Sequence, residues 1–132
     1  MSPEYHSPTT ENADIDGTVT FAGSVRLPTG NYKYKWIRPT AEITDEPWDA
    51  AMNRIAALAH PVRGAMLRHL LCAPASVADL VDSELVSSTG TAYHHLKELQ
   101  AAGWVTKRDG LFEIPPARII PLMSIVIAAE DH

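Results

Sequence analysis

Cysteine occurs once in this chain, at position 72. A single thiol excludes an intrachain disulfide framework and cannot alone build a thiolate metal cage. At the end of Leu70-Leu71-Cys72 it is expected to be a small buried residue on a helix. Long apolar runs are also missing: none reaches the roughly 20 residues that a membrane-crossing helix needs. The stretch from Met1 to Asp16 is polar and acidic, without the apolar centre of an export signal, so a cytoplasmic location is expected. Cations are the scarcer charge, 11 against 16 acids, for a net −5. That balance works against nucleic acid, where affinity comes from cations meeting phosphates. Nor is there a glycine-rich phosphate loop, a nucleophile elbow or a paired-carboxylate pattern, so neither an enzyme nor a cofactor is expected.

The acid is unevenly spread. Between Ala50 and Ile120 seven cations meet six acids, a balance of +1, which places the acid excess towards the ends. Between Phe21 and Thr40 stand Arg26, Lys33, Lys35 and Arg38 with no acid at all. These four are either a basic patch for a polyanion or the solvated outer face of a hairpin, and the sequence leaves both open. At 132 residues the chain makes one domain with an extension, small enough that a second copy would add much of the buried area.

Three segments are expected: a mobile tail over residues 1–16, a β-hairpin extension over 17–44, and a helical domain over 45–132. The tail is rich in Pro, Ser, Thr and acid and buries too little to offset the entropy of ordering. From Gly17 to Arg38 the pattern alternates with period two on both sides of Pro28-Thr29-Gly30-Asn31, the mark of a hairpin, with a bulge expected at Gly23. Such a ribbon is marginal alone in water, so Tyr32, Tyr34 and Trp36 are expected to pack on the helical body or on a second subunit. There the ribbon would extend a nucleic-acid footprint or cover an effector cavity. A first helix is expected from Pro47 with Asp45 as its cap, and a second from Pro61 to Pro74. Ser76 and Asp79 open a third as a capping box. A last helix from Ala117 to Ala129 is apolar on nearly all sides and kinked at Pro121, which implies burial against another copy.

The most telling stretch runs from Ser87 to Val105. A small polar start with Ser88 as N-cap leads into a helix whose Ala92, Leu96, Leu99 and Ala102 lie one turn apart, and Gly103 stops it. With the helix from Ser76 it has the order of a helix-turn-helix, and Val105 to Ile114 reads as a hairpin with an Asp109-Gly110 tip beside Lys107 and Arg108. The fold class expected is therefore mainly α with small β, a winged helix-turn-helix plus the N-terminal hairpin. Such a helix offers Ser88, Thr89, Thr91, Tyr93, His94 and Lys97 to base edges and phosphates of double-stranded DNA, and Gly90 allows close approach to the backbone. Lys107 and Arg108 are expected on phosphate or in a minor groove, and Arg63 and Arg68 near the backbone. Adjacent His94 and His95 point to different sides of a helix, a poor chelating spacing, so no metal site is expected.

The segments Ala57-Leu58-Ala59-His60-Pro61-Val62-Arg63, Met66-Leu67-Arg68-His69-Leu70, Ser76-Val77-Ala78-Asp79-Leu80 and Tyr93-His94-His95-Leu96-Lys97-Glu98-Leu99-Gln100-Ala101-Ala102-Gly103-Trp104-Val105 together resemble the ArsR family of winged-helix repressors. The resemblance covers about Trp48 to Ala129. It implies a homodimer paired through first and last helices, a palindromic operator, and release of DNA by an effector; the effector itself is open, a small apolar molecule between the last helices or a protein partner. It places Ser88, Thr89, Thr91, Tyr93 and His94 at reading positions and Lys107 and Arg108 at the wing. The Cys-x-Cys-x-Asp segment of metal-sensing members is absent, with Ser76-Val77-Ala78-Asp79 in its place, and the last helix lacks the ligands that other members carry there. The hairpin from Gly17 to Arg38 lies outside the minimal family fold. Two other readings remain: a winged-helix module that binds protein and not DNA, and a metal-responsive regulator with an unusual His site.

Overall fold

The computed structural model describes residues 14–132. The expected mobile tail, apart from residues 14–16, lies outside them. Two antiparallel ribbons and six helices follow in the order β1 (Thr18–Leu27), β2 (Gly30–Pro39), α1 (Thr40–Asp45), α2 (Asp49–Leu58), α3 (Pro61–Leu70), α4 (Val77–Asp82), α5 (Thr89–Ala101), β3 (Thr106–Arg108), β4 (Leu111–Glu113) and α6 (Pro116–Ala128). No helix among the described residues is long and apolar enough to cross a membrane.

β1 and β2 pair without interruption from Thr18 opposite Pro39 to Leu27 opposite Gly30, so the bulge expected at Gly23 does not form. Gly23 answers a different need. A Cβ there would lie 2.9 Å from Cγ2 of Ile120, so the missing side chain is what lets α6 cross the ribbon closely. The inner face carries Phe21, Tyr34 and Trp36, stacked with ring centroids 5.7 and 6.4 Å apart. Alternation then sends Arg26, Lys33 and Lys35 to the solvent face.

α1 was not legible in the sequence, and it lies across the expected 44/45 boundary. Its Thr and Ile are indifferent helix formers, and six residues are too few to hold a helix by themselves. Side chains hold it. Thr44 Oγ1 donates to the Thr40 and Ala41 carbonyls, Trp48 Nε1 donates to the Ile43 carbonyl at 2.6 Å, and Arg38 bridges Glu42 and Glu46. Arg38 thus stands apart from Arg26, Lys33 and Lys35, with its charge met by two carboxylates. Asp45, expected to cap the next helix, is instead the last residue of α1, and Trp48 stands at the start of α2 without a side-chain cap bond.

The core is built from α3, α4, α5 and α6 around Met66, Leu67, Leu70, Leu80, Leu96, Leu99, Trp104 and Ile119, all nearly inaccessible. α3 begins at Pro61 as expected, where His60 Nδ1 accepts from the Val62 N–H, but it ends at Leu70, before Pro74. Cys72, expected to be buried, follows that end and is exposed. The capping box at Ser76 is present in full: Ser76 Oγ accepts from the Asp79 N–H at 3.1 Å, and the Asp79 carboxylate accepts from the Ser76 N–H at 2.8 Å. The Ser76 donors hold Asp79 below the usual carboxylate range.

Candidate nucleic-acid interface

Ser88 has extended backbone and caps α5 as expected, its Oγ accepting from the Thr91 N–H at 3.2 Å. The apolar positions Ala92, Leu96 and Leu99 are buried, so the opposite side of the helix faces solvent by geometry alone. On that side Thr89, Tyr93 and Lys97 recur every fourth residue, with Gly90 and His94 beside them, and no carboxylate interrupts the stripe. Glu98 stands one turn beyond His94, at the edge that Thr91 also marks, and lines a hollow together with Arg54 and Arg63. Space around Gly90 is open, so nothing in the chain itself explains a glycine in a helix.

Thr91 departs from expectation. It is half-buried at the edge of the stripe, and its hydroxyl is bonded to Ser88 Oγ at 3.0 Å. The pair Ser88 and Thr91 therefore locks the helix start, leaving Thr89 as the free hydroxyl. Arg63 departs further. Its Nε donates to His95 Nδ1 at 3.1 Å and one terminal nitrogen donates to the Ala57 carbonyl at 3.3 Å. A guanidinium so committed braces α2, α3 and α5 against each other, a role within the chain that the sequence reading did not give it. Arg68 remains exposed on α3.

His95 is buried beneath this brace, with its ring 4.6 Å from that of His60 and 5.4 Å from that of His94. Burial pushes its pKa down, and the nearby His60, Arg63 and His94 charges push it the same way. The imidazole is thus held neutral, in the form that can accept from Arg63. Among the described residues no group of three or more His, Cys, Asp or Glu could hold a metal ion.

Four residues after α5 the short ribbon begins. Asp109 and Gly110 have φ of 53° and 79°, the two positive angles that a two-residue type I′ turn demands. Ala75 pairs with Phe112 through backbone bonds of 3.0 and 2.8 Å, which ties the ribbon to the chain just before α4. Lys107 and Arg108 are exposed as expected. Lys107 Nζ lies 5.5 Å from the Phe112 ring centroid, and Arg108 meets Glu113 at 3.2 Å while staying 74% exposed. Screening by water makes that pair worth little, so the guanidinium can exchange Glu113 for a phosphate.

No family model and no curated protein matches this chain. Among solved structures it is similar to a crystal structure of M. tuberculosis Rv0081, at 28% sequence identity and a TM-score of 0.53, over 64% of this chain and 88% of that one.

Proposed function

We propose that this protein is a sequence-specific, DNA-binding transcriptional regulator of winged helix-turn-helix architecture and ArsR type, a repressor that acts as a homodimer on a two-fold site. α4 and α5 form the helix-turn-helix in this reading, and β3 and β4 the wing. One observation carries it: the carboxylate-free stripe of Thr89, Tyr93 and Lys97 on the solvent side of α5, with the bare backbone at Gly90 beside it. A helix presented in this way fits a major groove, and its amino-terminal amides favour phosphate. Lys107 and Arg108 add a second cationic element six and seven residues beyond the helix.

The dimer is argued from what lies uncovered. α2 buries only Ala57, yet it carries Met52 and Ile55 in the open, and α6 leaves Val126 and Ile127 58% and 60% exposed. A second copy laid along α2 and α6 would remove this apolar surface from water, and a two-fold site then requires the two α5 helices to stand about one DNA turn, roughly 34 Å, apart.

Fluorescence anisotropy with a random-sequence duplex over a salt series tests the reading. Affinity should fall linearly with salt on logarithmic axes, losing about 0.9 of slope per phosphate contacted. Lys107→Ala should weaken all duplexes alike and reduce the slope by about 1. Tyr93→Ala should instead reduce discrimination between a selected site and the random duplex. Binding that is absent, or indifferent to salt, would sink the proposal and favour the protein-binding alternative that the net charge of −5 supports.

A further inference from the structure

A cleft of about 530 Å³ opens where the inner face of the long hairpin approaches α2 and α6. Its size is that of a small-molecule site, for which about 300–1,000 Å³ is usual. One wall is the aromatic ladder. Phe21 and Tyr34 are 13° from parallel, and Tyr34 and Trp36 are 24° from parallel, so the three rings stand stacked side by side and make an aromatic wall of ring edges with a face only at its ends. Two arginines line the same cleft, Arg54 from α2 and Arg118 from α6, and Trp104 touches both.

Trp104 fixes this arrangement. Buried to 2% exposure, it donates from Nε1 to the Arg54 carbonyl at 2.8 Å and receives the Arg118 guanidinium over its ring at 5.1 Å. Neither arginine meets a carboxylate within ion-pair distance among the described residues. Among the described residues no acid lines the cleft. Two cations without an ion-pair partner in a cleft otherwise lined by aromatic and aliphatic side chains define a chemical class: the apolar lining takes an aromatic ring, edge to face, and a guanidinium fork takes a carboxylate.

We propose that this cleft binds a small planar aromatic carboxylate, its ring against Tyr34 and Trp36 and its carboxylate on Arg54 and Arg118. The site goes beyond the DNA reading and stands or falls without it, because binding is measured on the protein alone. The probes are 2-naphthoate and its neutral counterpart 2-naphthylmethanol, titrated into the full chain by calorimetry and tryptophan fluorescence. Naphthoate should saturate one site per chain and bind about tenfold more tightly than the alcohol, the equivalent of one charge-assisted hydrogen bond. Arg54→Gln, at an exposed position that does not threaten folding, should remove much of that preference, and Arg118→Gln should remove more. Tyr34→Ala should weaken both probes, whereas Lys33→Gln, on the opposite face of the same strand, should change neither. Equal affinity for the two probes, a naphthoate preference intact in both arginine variants, or failure of either probe to saturate the folded protein would overturn the proposal. Loss of dimer mass on Tyr34→Ala, with no probe bound by the parent protein, would assign the cleft to a second copy instead.

Discussion

β1 and β2 pair over ten positions and β3 and β4 over three, yet both ribbons must find support outside themselves, since two strands alone are marginal in water. The long one finds it through a face: Gly23 lies against Ile120 of α6, and Val25, Leu27 and Tyr32 pack on the core. The short one finds it at an edge and a point, through the Ala75 backbone pairing and the buried Phe112 ring. Face packing makes the long hairpin a wall. Point anchoring leaves the short hairpin's outer positions, Lys107 and Arg108, free to meet a partner. Two elements of one class thus serve different ends because their side chains are tied down differently.

That contrast can be broken most severely at the point anchor. Phe112→Ala should cost about 3–5 kcal/mol in urea unfolding, because a core ring is lost along with the short hairpin's attachment. Gly23→Val strikes the face anchor and should cost about 1–3 kcal/mol by overpacking against Ile120. If the hairpin simply lifts away, the loss shrinks and amide exchange in β1 and β2 rises. Gly110→Ala should cost only about 1 kcal/mol, the strain of a left-handed non-glycine residue, because space around it is open.

Acid should separate the ribbons from the helical body between them. Neither hairpin contains histidine, whereas His95 is buried among α2, α3 and α5. Its folded pKa lies below the ordinary 6.5, so the unfolded chain takes up the proton more readily. Its stabilising contribution is therefore complete above pH 6.5 and is lost as pH falls from there through the depressed folded value. Unfolding midpoints measured from pH 8 downwards should show this decline, and His95→Gln should flatten it. A profile unchanged by that substitution would show that the Arg63 bond does not depend on the neutral ring.

Much of the secondary structure was legible because local signals act locally. Pro61, the Ser76 and Asp79 box, the Ser88 cap and the Asp109-Gly110 tip each mark a boundary through their own backbone chemistry. α1 was not legible, since it is held by Arg38, Thr44 and Trp48 and not by helix propensity. Of the site residues, Thr89, Tyr93, His94, Lys97, Lys107 and Arg108 are exposed as a surface site requires, by the periodicity that buries their neighbours. Arg63 and Thr91 have internal partners that the sequence did not show, for a shared reason: a polar side chain next to an exposed face can still turn to a partner within the chain. No periodicity reports that choice. Gly23 was misread likewise, as a bulge, when its cause is a helix nearly 100 residues away.

By itself the sequence determined where helices and strands begin, which side of each is apolar, and which cations stand at the short turn, because capping, alternation and turn chemistry depend on neighbours a few residues apart. Only the tertiary structure decided that Arg63 is a brace, that Arg38 belongs to α1, and that an aromatic ladder and two arginines share a cleft. Each of those depends on groups distant in the chain arriving at hydrogen-bonding or stacking distance, and only the packed fold sets such distances.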